Sequence, residues 1–345
     1  MKRILFCLNH PSDFFTFKYV IPRLISMGYE IKVLFSPRAI NANLPWTEEW
    51  DCINLFPKKT DPGFLVSLGH IWQFIRQYRP QLVTGTNPIL APAAAFAGAR
   101  SLFINQYDVR FCRLNAWAYR LANRFLCPES CDPRVQMAKR ISYRGCHHLA
   151  YLRGKHFHPD ETVKDLLKLK RDRYFIIRLT SEWSPVQGAE NGLDDYLVHE
   201  LIALLEVYGQ VFVSAGRELA AALKPYALAL PPEKLHDAVY HAEMFISDGH
   251  CMAAEAAVMG VPAVWMSSHV GKIGYMRELE ETYQLLCGVP NTQPQKLLPV
   301  VKEILATPDV RQKWKNKRKV MSVETADVTE LLIDAIRIHA EKRKA

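Results

Sequence analysis

In the stretch FISDGHCMAAEAAVMGVPAV, residues 245–264, a single carboxylate, Glu255, sits among alanines and other apolar residues that read as a buried helix. An ionised carboxylate buried without partners is costly, so this position demands hydrogen-bond donors. The residues before it suggest what those donors are. Met244–Ser247 reads as a strand, Asp248 and Gly249 as a turn, and residues 251–259 as a helix stopped by Gly260 and Pro262. Such a turn presents the first backbone N–H groups of the helix, with the positive end of its dipole, to a ligand, and a phosphate sits there favourably. Glu255 lies about one and a half helical turns further on, within reach of the hydroxyls of a ribose attached to the phosphates. An internal Arg or Lys from the other half of the chain is the alternative partner. A capping-box role does not fit, because Glu255 is too far from the turn.

Other residues offer complementary groups. Arg178, near the end of the strand-like IIRLT, is awkward to bury without an anion, which makes it a phosphate contact. Arg217 in SAGRE and Lys272 in HVGKIG are further cations, for which a plain surface role is the alternative. In NHPSD, residues 9–13, His10 has the intrinsic pKa of a general base, and Asp13 could orient it or act itself. A turn in which Ser12 or Asp13 caps the next helix accounts for the same residues. Glu182 and Trp183 lie in a polar loop, SEWSPVQGAENG, that could face either substrate. Pro231 and Pro232 stiffen a loop leading to His236, which could serve a site or simply pack.

Two sets of alternating strands and helices must position these groups. In the first half the strands are expected over 3–8, 29–36, 81–85 and 101–105, with helices over 17–27, 64–78 and 88–98. A polar, basic stretch over 153–173 reads as the linker. Beyond it, strands are expected over 174–180, 210–216, 244–247 and 262–266, with a helix over 194–208. Strand and helix in alternation argue for parallel sheets covered on both faces, hence an α/β protein with two Rossmann-like doubly wound domains facing a central cleft. The expected division is 1–160, 161–322 and a closing helical segment, 323–345, that packs back on the first domain.

The bulk composition agrees. At 345 residues the chain is too long for one ordinary core, and 49% hydrophobic with 23% charged residues is globular. No apolar run approaches the roughly 18 to 20 residues of a membrane span. The start, MKRILFCLN, has only five apolar residues before Asn9, too few for a signal peptide, so a cytoplasmic location is expected. Eight scattered cysteines suit reduced thiols. Cys127 and Cys131 with His147 and His148 match no zinc template, and no metal is expected. The net charge of +9 calls for an anionic partner. Part of the excess is the run RQKWKNKRK, residues 311–319, which reads as a solvated helix face or as a peripheral contact with the inner face of an anionic membrane. Nucleic acid is not an expected partner, since the basic clusters lack aromatic platforms and known motifs.

The segment DGHCMAAEAAVMGVPA resembles the nucleotide-sugar site of GT-B glycosyltransferases and of non-hydrolysing UDP-N-acetylglucosamine 2-epimerases. The whole chain resembles the microbial family named domain of unknown function 354, through AYLRGKHFHPD, IIRLTSEW, PPEKLHDAVYHAEMFISDG and YMRELEETY. The resemblance implies a GT-B fold, diphosphate contacts from Gly249, His250 and Cys251, a ribose contact from Glu255, and a base-bordering loop over 231–236. It implies a glycosyltransferase with a UDP-sugar donor and no other cofactor, and the basic C-terminal surface would suit a glycan or lipid-linked acceptor in surface polysaccharide or glycolipid synthesis. The family has a histidine where this chain has Asp13, which leaves the catalytic base unassigned between His10, Asp13 and Glu182. Epimerisation is the runner-up. The epimerases' acids near Asn87 and over 105–107 stand here as amides, which cannot take up a proton usefully, although Asp108 remains nearby. A nucleotide-sugar-binding protein without turnover is the third expectation.

Overall fold

Apolar runs that are too short for buried helices and rich in Val, Ile, Leu and Phe form the strands of two parallel sheets. A computed structural model describes residues 2–8, 10–35, 47–54, 63–108, 116–180 and 192–341. The chain divides into two units, one running to Tyr151 and resuming at Thr325, the other spanning Leu152–Glu324.

The first unit holds seven strands: β1 (Lys2–Leu8), β2 (Tyr29–Phe35), β3 (Cys52–Asn54), β4 (Leu82–Gly85), β5 (Ser101–Ile104), β6 (Arg124–Pro128) and β7 (Arg140–Tyr143). Their order is β3-β2-β1-β4-β5-β6-β7, and every neighbouring pair is parallel. Strands β3, β6 and β7 were not apparent in the sequence: β3 and β7 are short edge strands that bury little, whereas β6 is interior and buries four of its five residues. The helix expected over 17–27 is two, Pro11–Phe17 and Val20–Ser26, with buried Phe14, Phe17, Ile21 and Leu24 against the sheet. The Phe64–Tyr78 and Leu90–Phe96 helices cover the sheet through Ile71, Ile75, Leu90 and three alanines. The closing helix, Val328–Glu341, packs on this unit: Arg23 pairs with Glu330, Tyr29 donates to Glu341 at 2.8 Å, and Thr329 donates to the Ala150 carbonyl at 2.6 Å.

The second unit holds β8 (Tyr174–Leu179), β9 (Gln210–Ala215), β10 (Met244–Ser247), β11 (Ala263–Ser267) and β12 (Leu286–Pro290), in the order β12-β11-β10-β8-β9, again all parallel. Within this unit Asp160 pairs with Lys234 at 2.5 Å, and its amide donates to Asp237 at 3.0 Å. The basic run is also partly internal. In the Val310–Glu324 helix, Trp314 is 6% exposed and donates to the Leu285 carbonyl at 2.9 Å. Arg311 donates to the Tyr240 carbonyl at 2.6 Å, Arg318 to that of Leu152 at 3.2 Å, and Lys317 lies over the Trp314 ring. Lys313, Lys315 and Lys319 are exposed. Trp314 is therefore a buried residue, and the exposed charge of this run is carried by the lysines around it. Among the described residues no helix is long and apolar enough to cross a membrane.

One buried group makes the first unit sensitive to acid. His147 stacks on Tyr143, and burial, helped by neighbouring His148, pushes its pKa down to about 3 from 6.5. Above the higher value the ring is neutral whether folded or unfolded. Between about 6.5 and 3 only the unfolded chain takes up the proton, so stability falls as pH falls through that window. His147→Phe is expected to remove about 1–2 kcal/mol of the loss between pH 7.5 and 4.5, read from urea unfolding at both pH values.

Candidate functional site

In each sheet the strand order reverses once, and at that point two neighbouring strands send their following loops to opposite sides, opening a crevice at their carboxyl ends. In the second unit these strands are β8 and β10, and Asp248 follows β10. Its carboxylate, 3% exposed, accepts the Thr180 amide at 2.8 Å and the Leu193 amide at 3.2 Å, tying the residue after β8 to the segment before the Asp195–Leu205 helix. Burial raises the Asp248 carboxyl above its ordinary range, and those two amides pull it back. Space here is tight. A Cβ on Gly249 would lie 2.5 Å from the Thr180 methyl, and one on Gly192 2.7 Å from Asp248 Oδ2. Gly249 is needed for this close approach rather than for an unusual backbone angle, since its φ is −95°.

Gly249 is the N-cap of the His250–Val258 helix and has no side chain to cover the first-turn amides, while Gly249 itself donates to Ser247 Oγ at 2.9 Å. His250 is buried and Cys251 half-buried at this end of the helix. Glu255, 4% exposed, lies 3.2 Å from Nε2 of His236, which is also buried. One partner of the lone carboxylate is thus a histidine of the same unit. Arg178 aligns with Ser247 on β10 and with Ser214 on β9, and donates to Ser214 Oγ at 2.5 Å. Burial draws its pKa below the ordinary value, and the negative charges of Asp248 and Glu255 act against that pull. Asp248, Gly249, His250, Cys251, Glu255, His236 and Arg178 accordingly gather around one strand crossover. Thr180, Ser214 and Asp248 support it. The sequence signal for Asp248 was its place between a strand and a glycine, where a carboxylate can cap loop amides.

The remaining candidates lie apart or serve as supports. Arg217 donates to the Leu193 carbonyl at 3.3 Å and to Asp195 at 3.4 Å, so it steadies the segment that reaches Asp248. Lys272 is exposed. Glu182 and Trp183 lie outside the described residues.

In the first unit the reversal falls between β1 and β4. Gly85 ends β4 with φ +131°, and a Cβ there would lie 2.2 Å from the Cys7 carbonyl oxygen. The next two amides, Thr86 and Asn87, both donate to that oxygen at 3.1 Å. His10 and Asp13 form a capping box on the Pro11–Phe17 helix: Asp13 accepts the His10 amide at 2.8 Å and the Thr86 hydroxyl. The Ser12 amide donates to His10 Nδ1 at 3.2 Å, so the neutral ring carries its proton on Nε2. Taking a proton at Nε2 requires the other tautomer, with Nδ1–H turned to Ser12 Oγ, 2.8 Å away. The amides that replace the epimerases' acids are engaged locally. Asn87 accepts the Ile89 amide at 3.0 Å, Asn105 the Tyr107 amide at 3.3 Å, and Gln106 the His147 amide at 3.0 Å. Asp108 accepts the Asp132 amide at 3.0 Å.

No family model matches the sequence, and no curated protein matches it. At the level of structure the chain is similar to the glycotransferase of kitacinnamycin, with a TM-score of 0.64 and 14% identity over 98% of this chain and 99% of that one. It is similar to UDP-GlcNAc 2-epimerase from Neisseria meningitidis bound to UDP-GlcNAc, with a TM-score of 0.66 and 11% identity over 97% and 100%. It is likewise similar to MurG from Acinetobacter baumannii, with a TM-score of 0.61 and 14% identity over 98% and 100%. The fold is therefore the GT-B type, built from two Rossmann-like domains and found in both glycosyltransferases and UDP-GlcNAc 2-epimerases.

Removing the Asp248 carboxylate strips two buried amides of their acceptor. Asp248→Ala is expected to destabilise the second unit by about 2–4 kcal/mol, and Asp248→Asn, which keeps one acceptor oxygen, by less. Urea unfolding of both variants checks the order.

Proposed function

We propose that the chain is a GT-B-type glycosyltransferase that takes a UDP-sugar donor in its second unit, and that it belongs with the family named domain of unknown function 354. The observation that carries this is Glu255: a buried carboxylate on a helix whose glycine N-cap stands at the strand crossover of a doubly wound sheet. The first-turn amides and Arg178 take the diphosphate, whose charge grows as the sugar departs. Glu255 accepts the ribose hydroxyls after His236 yields its 3.2 Å contact, and His236 is then placed to border the base. In the first unit His10 meets the acceptor hydroxyl, with Asp13 and Thr86 fixing the turn that holds it. The engaged amides at 87, 105 and 106 favour transfer over epimerisation, because ring proton removal needs groups that ionise. The acceptor in this proposal is a glycan or lipid-linked precursor of surface polysaccharide or glycolipid. The exposed lysines at 313, 315 and 319 would bring a cytoplasmic enzyme against the anionic inner face of the membrane.

The test is thermal unfolding with UDP and a panel of UDP-sugars, followed by sugar release or transfer from the best ligand. A ligand at about 100 times its Kd stabilises the native state by about 2.7 kcal/mol, enough to raise the melting temperature measurably. Glu255→Ala is expected to weaken UDP binding tenfold or more and to abolish turnover, with Glu255→Gln in between. Equal UDP-induced shifts in wild type and Glu255→Ala would sink the proposal.

A further inference from the structure

The first sheet has a second ligand-sized feature at the edge opposite His10 and Thr86. An open cavity of about 670 Å³ lies at the amino ends of β1, β4 and β5. Its charged lining consists of Lys2, Arg76, Arg79 and Arg100 against a single carboxylate, Glu341. A smaller cavity of about 200 Å³ shares Arg100 and adds Arg124. The parallel sheet produces this row. Residues at the starts of parallel strands share one edge of the sheet: Arg124, which opens β6, pairs with Leu102, and Arg100, just before β5, lies two positions further toward that edge.

The ordinary explanation is that cations collect where helices end. Arg76 is in the last turn of the Phe64–Tyr78 helix and Arg79 is its C-cap, and each complements the negative end of the helix dipole. That accounts for one or two positive charges, whereas the larger cavity carries four against one. Glu341 is moreover already shared, with Lys2 at 3.7 Å and with the Tyr29 hydroxyl at 2.8 Å. Arg76 lies over the Trp72 ring, 5.3 Å from its centroid, a contact that favours one orientation of its fork. Ile75, Pro80 and alanines line it between the charged groups. The volume is that of a small-molecule site.

We propose that this cavity binds a polyanion with two neighbouring phosphate groups, held by the arginine forks of Arg76, Arg79 and Arg100. A soluble diphosphate and the headgroups of an anionic lipid surface share this chemistry. The site is distinct from the donor site of the second unit and stands whether or not that assignment holds.

Two probes test it: inorganic pyrophosphate by titration calorimetry with UDP present in excess, and flotation with phosphatidylglycerol-containing vesicles against phosphatidylcholine vesicles. Wild-type protein is expected to bind at least one probe, with affinity falling steeply as salt rises. Arg76→Gln/Arg100→Gln is expected to weaken that binding tenfold or more while leaving the UDP-induced thermal shift as it is in wild type. Pyrophosphate binding alone assigns a soluble ligand, and vesicle binding alone assigns a headgroup. Binding of neither probe by the wild type, or equal binding by wild type and variant, overturns the proposal. Should the Gln variant not fold, Arg76→Lys/Arg100→Lys keeps the charge but loses the forks. Several-fold weaker binding is then expected, and unchanged binding overturns the proposal.

Discussion

The second unit depends on a carboxylate that never needs to meet a ligand. Asp248 follows the third strand of its sheet and accepts amides from two other segments, Thr180 and Leu193. Without it, two buried N–H groups at the strand crossover would lose their acceptor, a cost comparable to a large share of a domain's net stability. With it, the residue after β8 is drawn so close to the turn after β10 that position 249 has no room for a side chain. The bare glycine that results is what leaves the helix amides without a capping side chain. The uncapped helix end is thus a consequence of packing, produced by the same contact that holds the loops.

Glu255 solves its own burial differently. Its neighbour is His236, from the Leu235–His241 helix, at a distance where a neutral ring donates a hydrogen bond and a charged ring forms an ion pair. A histidine is a partner that can be given up more readily than an arginine, because it can leave as a neutral group. The nearby Arg178 is directed to Ser214 instead, leaving its charge to act on the site through space.

The two edges of the first sheet carry different chemistry for a geometric reason. Parallel strands gather all their carboxyl ends on one side, where Gly85 and the Cys7 carbonyl bring the β1 and β4 loops together and Asp13 joins them through Thr86. The same parallelism gathers the amino ends and the helix C-termini on the other side, where basic residues accumulate. Neither collection is visible as a local motif, since the members are up to about a hundred residues apart in the chain.

Much of the fold was legible in the sequence. The central strands of both halves announced themselves as short apolar runs, and the Met244–Ser247, Asp248-Gly249 and His250–Val258 succession read correctly as strand, turn and helix. Edge strands such as Cys52–Asn54 and Arg140–Tyr143 did not, because an edge strand buries too little to need a hydrophobic pattern. The run around Trp314 was legible only in part: its charges are conspicuous, while the burial of the ring follows from a partner twenty-nine positions away, the Leu285 carbonyl. The sequence by itself determined that a carboxylate at 255 would be buried on a helix and would require a donor, since apolar neighbours and helical spacing leave no other outcome. Only the tertiary structure decided that His236, nineteen positions away, is a partner, because strand order brings the helix before β10 beside the helix after it.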